Sequence, residues 1–401
     1  MFRPLAGRRV VDLTQVLAGP YCAYQLAMLG ADVVKIEPID GGDWTRAGGG
    51  DADLAAAGLG LGFLTQNAGK RSIALDLKSP DGRALALELA AGADVFLENF
   101  RPGTAVRLGL GEAAVRAVNP GVVYASLSAF GQDGPFGPRP AYDHVVQAMS
   151  GIMNLTGEPE TLPNKVGAPY VDYATGLNGA FAVVAALMER DRTGEGQRVD
   201  IAMLDTALLL MASHLTQTAT TGAAPKAAGN AAFSGAVASG VFETREGLLA
   251  LAANNERQYR RLAEALDRPD FLEDARFAEP ATRRENGQAF RTALAEAFLA
   301  DTADGWERRL AEADVPAARV RDLDETMALD QVAARGLMAD YVLPGLGRRV
   351  AAPTLGFKAN GAAVAAEAPP PRLGQDTDAV LAGLGKSPAE IARLRAAKTV
   401  A

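Results

Sequence analysis

Up to Phe130, short runs rich in Val, Ile and Leu recur at Arg9–Leu13, Ala31–Ile36, Arg71–Leu77, Ala93–Leu97 and Gly121–Ser128. Each is bounded by Gly, Pro, Asp or Asn. Runs of that length and make-up predict strands. Helical patterns lie between several of them. Pro20–Leu29 is one, and Pro80–Ala91 is another, with Ser79 as N-cap and Pro80 at the first helical position. Strands alternating with helices predict an α/β fold around a mostly parallel, doubly wound sheet.

The Gly- and Pro-rich run Gly131–Pro140 breaks the alternation. Helices are expected next at Tyr173–Glu189 and Ile201–Gln217, separated by the polar turn Arg192–Gln197. Residues 218–230, made of Thr, Ala, Gly and one Pro with little apolar bulk, read as a linker. A second unit then begins with a strand pair at Gly240–Thr244 and Leu248–Ala252. Helices follow near Glu256–Leu266, Gly287–Leu299 and Gly305–Ala313. A Pro/Ala-rich segment, Ala362–Pro371, precedes a last helix at Gln375–Gly383.

Composition narrows the chemistry more than the fold. With Cys22 as the one cysteine there is no intramolecular disulfide and no cysteine-built metal site. His144 and His214 are 70 positions apart, so the H-E-x-x-H zinc pattern is absent. A Ser-His-Asp or Cys-His site would need one of those two histidines; otherwise enzymatic chemistry here is expected to rest on carboxylates, a borrowed cofactor, or both. A net charge of −8 argues against nucleic-acid binding, which needs a basic footprint. The longest apolar stretches, Ala180–Leu187 and Thr206–Ala212, fall short of the ~20 residues that cross a bilayer. No apolar signal core follows the N-terminal arginines, and a cytoplasmic protein is expected.

The glycines of Gly48–Gly50 and Gly58–Gly62 follow no strand, so they read as flexible loops rather than a phosphate cradle. The turn Leu13–Pro20, between the first strand and first helix, is in the right place for a ligand but lacks the dinucleotide fingerprint. Lys78, Asn99, Arg101 and Arg107 all follow strand ends. They could share a crevice that suits an anion with several phosphates, or be solvated surface charges. Asp172 stands at a probable helix start after an extended approach containing Pro169, where the plainest reading is an N-cap.

A series of blocks runs from Val10-Val11-Asp12-Leu13 and Ala18-Gly19-Pro20 through Gly30-Ala31-Asp32-Val33-Val34-Lys35-Ile36-Glu37 and Gly42-Asp43. Then come Lys70-Arg71-Ser72-Ile73, Glu98-Asn99-Phe100-Arg101-Pro102-Gly103, Tyr142-Asp143, Gln147–Gly151 and Leu373-Gly374-Gln375. Together, along essentially the whole chain, these blocks resemble the family III CoA-transferases, which include formyl-CoA:oxalate, carnitine and succinyl-CoA:dicarboxylate CoA-transferases.

The resemblance implies that Asp172 is the nucleophile of an acyl-CoA:carboxylate CoA-transferase working through an aspartyl-CoA thioester, with the helix N-terminus keeping it ionised. It implies coenzyme A contacts at Leu17, Ala18, Leu75, Lys78, Asn99, Phe100, Arg101, Arg107 and Tyr142, and no metal. It further implies a Rossmann-like large domain from residues 1–217 and 340–401, a smaller inserted α+β domain at 225–335, and an interlocked homodimer. The substrates would be an acyl-CoA and a small carboxylic acid, with no nucleic acid or membrane partner.

Departures bear on the substrate. Pro38 stands where some members place a nucleotide-binding Arg. Leu17 replaces the Gln of formyl-CoA:oxalate members, and residues 225–255 lack their poly-glycine run. The pattern sits nearer the succinyl-CoA:dicarboxylate branch, with formyl-CoA:oxalate transfer as an alternative. A second alternative is a racemase like the related α-methylacyl-CoA racemase. Its His falls at Tyr142, whereas His144 lies about 200° further around a helix and reads, like His214, as structural.

Overall fold

Six parallel strands carry the first part of the chain: β1 (Arg9–Asp12), β2 (Asp32–Glu37), β3 (Arg71–Ala74), β4 (Val95–Glu98), β5 (Val123–Ser128) and β6 (Arg198–Ala202). Their order across the sheet is β3-β2-β1-β4-β5-β6, with every neighbouring pair parallel. The computed structural model describes residues 2–232 and 234–401. These divide into two units, one from residues up to Ile152, Lys165–Ala223 and Asp330–Ala401, the other from Met153–Asn164 and Ala224–Leu329. Residues 153–164 thus join the second unit, from which the sequence reading left them out.

Parallel strands need crossover helices, and these cover both faces of the sheet. Alternate side chains go to opposite sides. Val11, Val34, Ile36, Phe96 and Tyr124 pack with Leu85 and Ala86 of a helix at Pro80–Ala91 and with Leu381, Ile391 and Leu394 near the C-terminus. Val10, Val33, Val95, Leu97 and Val123 pack with Cys22, Ala23 and Leu26 of α1 (Ala18–Met28), and with Val183 and Leu187 of a long helix, Tyr170–Thr193. That helix is long and apolar enough by itself to cross a membrane, yet one face of it is buried in this core.

Two expected elements come out differently. The stretch from Ile201 is not one helix: Arg198–Ala202 is the edge strand β6, and helices Met203–Leu209 and Ala212–Thr221 follow. The strand buries only its last two residues fully, so its pattern lacks the continuous apolar run of the inner strands. The C-terminus holds two helices rather than one. Thr377–Gly383 is followed by Pro388–Ala396, which starts from a capping box of Ser387 and Glu390. The two Gly-rich runs meet at one close contact, where a Cβ on Gly60 would lie 2.0 Å from the Gly48 carbonyl oxygen, while Gly50 and Gly58 face open space. The runs close around Arg46, which is buried, paired with Glu37 and stacked on Phe63 at 3.6 Å.

The second unit is a three-stranded antiparallel sheet, with Leu248–Ala252 between Ser239–Glu243 and Ala317–Arg319. Helices Glu256–Ala265, Gly287–Phe298 and Ala303–Glu312 cover it through Phe242, Tyr259, Phe290, Phe298 and Trp306.

Candidate active site

In a sheet of this order the helices leaving β1 and β4 go to opposite faces, which opens a crevice beyond their carboxyl ends. The two loops meet there through one side chain. Asn99, just past β4, accepts a hydrogen bond from the Gln15 N–H at 2.9 Å and donates its amide to the Gln15 carbonyl at 2.8 Å. Asn99, expected to contact the ligand, thus spends its amide on the turn that holds Leu17 and Ala18.

The candidate nucleophile is brought to this turn by small residues. We label the helices that do so α2 (Asp143–Ser150) and α3 (Tyr170–Thr193). A Cβ on Gly176 of α3 would lie 2.8 Å from the Ala18 carbonyl oxygen, and one on Gly179 would lie 3.2 Å from Cys22 Sγ. With hydrogen atoms at those positions α3 rests directly on α1, and Asp172, one turn before Gly176, lies at the start of α1.

Asp172 does not cap its own helix. Pro169 occupies the N-cap position, and the carboxylate that satisfies the helix start is Asp143 of α2. Asp143 Oδ2 accepts from the N–H groups of Val171 at 2.9 Å and Asp172 at 3.2 Å, while its Oδ1 accepts from Gln147 Nε2 at 2.5 Å. Gln147 Oε1 in turn accepts from the Val166 N–H at 2.9 Å, fixing the approach to α3. The helix start therefore does not keep Asp172 ionised as expected. Burial, reinforced by the like charge of Asp143, pushes its carboxyl up to about 7. Asp143 carried no role in the sequence reading beyond standing beside Tyr142 in a shared block.

Asp172 opens onto a cleft of about 280 Å³ lined by Leu17, Ala18, Asn99, Phe100, Arg101 and Tyr142. Six of the nine expected coenzyme contacts thus share one space with the carboxyl group. The other three do not line it. Leu75 is buried in the core, where it bridges to Val400. Lys78 and Arg107 are exposed, and Arg107 donates to Thr104. Two further lining residues went unread. Arg139 is a second cation beside Arg101, lying 4.0 Å from the Phe136 ring at the end of the Gly/Pro run that served only as punctuation. Ser128, at the end of β5, has a buried hydroxyl with no hydrogen-bond partner. Neither histidine lines the cleft; His144 is exposed on α2. Among the described residues no cluster of His, Cys, Asp and Glu could hold a metal ion.

A parallel sheet with a ligand crevice at its switch point, and a single half-buried carboxyl group facing that crevice, define an α/β protein equipped for carboxylate chemistry. The sequence matches the profile of CoA-transferase family III over residues 5–377, and the chain belongs to that family. It is a CoA-transferase. It is 37% identical to a succinate–glutarate CoA-transferase of Agrobacterium fabrum, over 95% of this chain and 96% of the relative. It is 38% identical to an acetyl-CoA:oxalate CoA-transferase of Acetobacter aceti, over 85% of this chain and 88% of the relative. Among solved structures, a CaiB/BaiF family protein of Brucella suis superposes with a TM-score of 0.84 at 32% identity, over 96% of this chain and all of that one.

Proposed function

We propose that this protein moves coenzyme A from a succinyl-type acyl-CoA to a small dicarboxylic acid, with Asp172 as the covalent carrier. The observation that carries this reading is one cleft that combines Asp172, raised to about 7, with Leu17, Ala18, Arg101 and Tyr142. The Asp172 carboxylate attacks the thioester carbonyl, and the carbon–sulfur bond breaks to give an acyl-aspartyl anhydride and CoA thiolate. The thiolate attacks the aspartyl carbonyl, which releases the donor acid and leaves an aspartyl-CoA thioester. The acceptor carboxylate attacks that thioester, expelling the thiolate. The thiolate then takes the new acyl group and frees Asp172.

A cleft of about 280 Å³ holds the thioester end of coenzyme A and not the whole molecule. The diphosphate and nucleotide then lie outside it, where Arg101, Arg107 and Lys78 are exposed. Water would hydrolyse each intermediate, so the half-buried position of Asp172 serves the reaction. Support for the dicarboxylate class comes from relatives, which include succinyl-CoA:glutarate and succinyl-CoA–D-citramalate CoA-transferases. Two such chains form the homodimer that the family resemblance implies. Exposed Leu177, Phe181 and Met188 along α3 form an apolar stripe that suits this role. We place the enzyme in the cytoplasm, working without a metal.

The test is a matrix of acyl-CoAs (succinyl, acetyl, formyl, oxalyl, glutaryl) against free carboxylic acids, read by mass spectrometry. We expect exchange to be fastest with succinyl-CoA and a dicarboxylic acid, and to be lost in Asp172→Ala. Wild-type exchange rates in that variant would contradict the proposed chemistry.

A further inference from the structure

The turn that forms one wall of the cleft is built in an unusual way. Val16 has φ of 76°, the left-handed region, which a β-branched side chain rarely enters. Among the described residues, no backbone group of Thr14, Gln15 or Val16 bonds to another backbone group; all six are satisfied by side chains. The Thr14 N–H donates to Asp12 Oδ1 at 2.9 Å, and Lys35 Nζ donates to the Thr14 carbonyl at 2.6 Å. Asn99 takes both groups of Gln15. The Val16 N–H reaches the Asp43 carboxylate at 3.2 and 3.4 Å from its two oxygens, and Gln66 Nε2 donates to the Val16 carbonyl.

These side chains come from separate places in the fold and are themselves locked. Lys35 pairs with Asp43 at 3.1 Å, and Lys70 pairs with Asp12 at 3.0 Å, all four side chains being fully buried. Asp43 also caps the short helix Trp44–Ala47, accepting from the Thr45 N–H at 3.0 Å and from its hydroxyl at 2.8 Å. Burial alone would raise the Asp43 carboxyl, but Lys35 and the Thr45 bonds outweigh it and hold Asp43 below the ordinary carboxylate range. A buried ion pair adds little net stability, and specifying one conformation is the use to which such groups are best suited.

We propose that Asp43 is a positioning residue for coenzyme binding. By holding the Val16 N–H it keeps the turn in its left-handed shape, so that Leu17 and Ala18 are presented to the thioester end of the ligand. The inference rests on the reading that Leu17 and Ala18 contact coenzyme A. Without Asp43, Val16 relaxes toward an ordinary φ and the wall of the cleft moves. A glycine at that position has no such tendency, because it adopts positive φ without steric cost.

The test is a double-variant cycle on the full-length enzyme. Its readouts are the Kd for free CoA by calorimetry and the KM values for succinyl-CoA and the acceptor acid. Asp43→Ala, which leaves no side-chain acceptor for the Val16 N–H, is expected to raise the Kd for CoA about tenfold in the wild-type background and about twofold or less in a Val16→Gly background. The KM for succinyl-CoA should follow, while the KM for the acceptor acid stays put. Equal losses in both backgrounds would mean that Asp43 only supports the fold, and would overturn the proposal. If Asp43→Ala does not fold, as judged by circular dichroism, Gln66→Leu removes only the partner of the Val16 carbonyl and runs the same cycle with the same expectation. Leu17→Trp separates the two ways of failing. If it leaves CoA affinity unchanged, the ligand does not use this turn and both readings fall. If it weakens binding while the cycle is additive, the site reading stands and the positioning role is wrong.

Discussion

Asp172 and Asp143 show how two carboxylates of one sequence acquire different tasks. Asp143 is buried but accepts the free N–H groups at the start of α3, together with the Gln147 amide. Asp172 receives no such compensation for its burial, and the charge of Asp143 raises it further, to about 7. The proposed nucleophile must be ionised, so kcat/KM for the acyl-CoA should fall as pH drops through about 7 rather than through the usual carboxylate range. Asp143→Asn can still accept from the helix start but carries no charge. In a pH–rate profile its acid limb should move to lower pH. A limb that stays in place in this variant would remove Asp143 as a cause of the shift. None of this was legible beforehand. The family blocks pointed to Asp172, but the local pattern suggested an N-cap, and an N-cap would have lowered its pKa instead. The cap that matters comes from a different helix, a contact between residues 29 positions apart that no local spacing reports.

At the level of elements, the site depends on how closely α3 approaches α1. Gly176→Ala sets a methyl group 2.8 Å from the Ala18 carbonyl oxygen, so α3 must lift and carry Asp172 away from the turn. We expect kcat to fall at least about tenfold, since small misplacements of a reacting group are costly, with the fold retained by circular dichroism. An unchanged kcat would show that the approach of these helices does not set the position of Asp172. The strands and helices that make the crevice were legible because buried parallel strands read as short apolar runs. The edge strand β6 was not, because its outer residues are polar and it leads directly into a helix. The helix at Pro388–Ala396 left a readable signal in Ser387, Pro388 and Glu390, the N-terminal signature used to place the helix after Ser79.

On the scale of the whole molecule, two histidines and one cysteine pointed toward carboxylates, a borrowed cofactor, or both, and the cleft is lined by one carboxyl group, two arginines and no histidine. What the sequence could not display is which apolar residues remain outside the core. Leu177, Phe181 and Met188 lie on the face of α3 away from α1, and Phe181 is 73% exposed. A charge placed there should disfavour the proposed pairing of chains. Phe181→Asp is expected to elute as a monomer by light scattering where the wild type elutes as a dimer. A dimeric variant would show that this stripe is not the interface.

The central claim is that Asp172 itself becomes acylated, and an oxygen-transfer experiment reads it directly. When the acceptor carboxylate attacks the aspartyl-CoA and then gives up its acyl group, one of its oxygens stays on the aspartate. An acceptor acid labelled in both carboxylate oxygens with the heavy isotope should therefore leave heavy oxygen in the peptide that contains Asp172 after turnover, as read by tandem mass spectrometry. Full turnover with that peptide unlabelled would contradict the covalent role of Asp172.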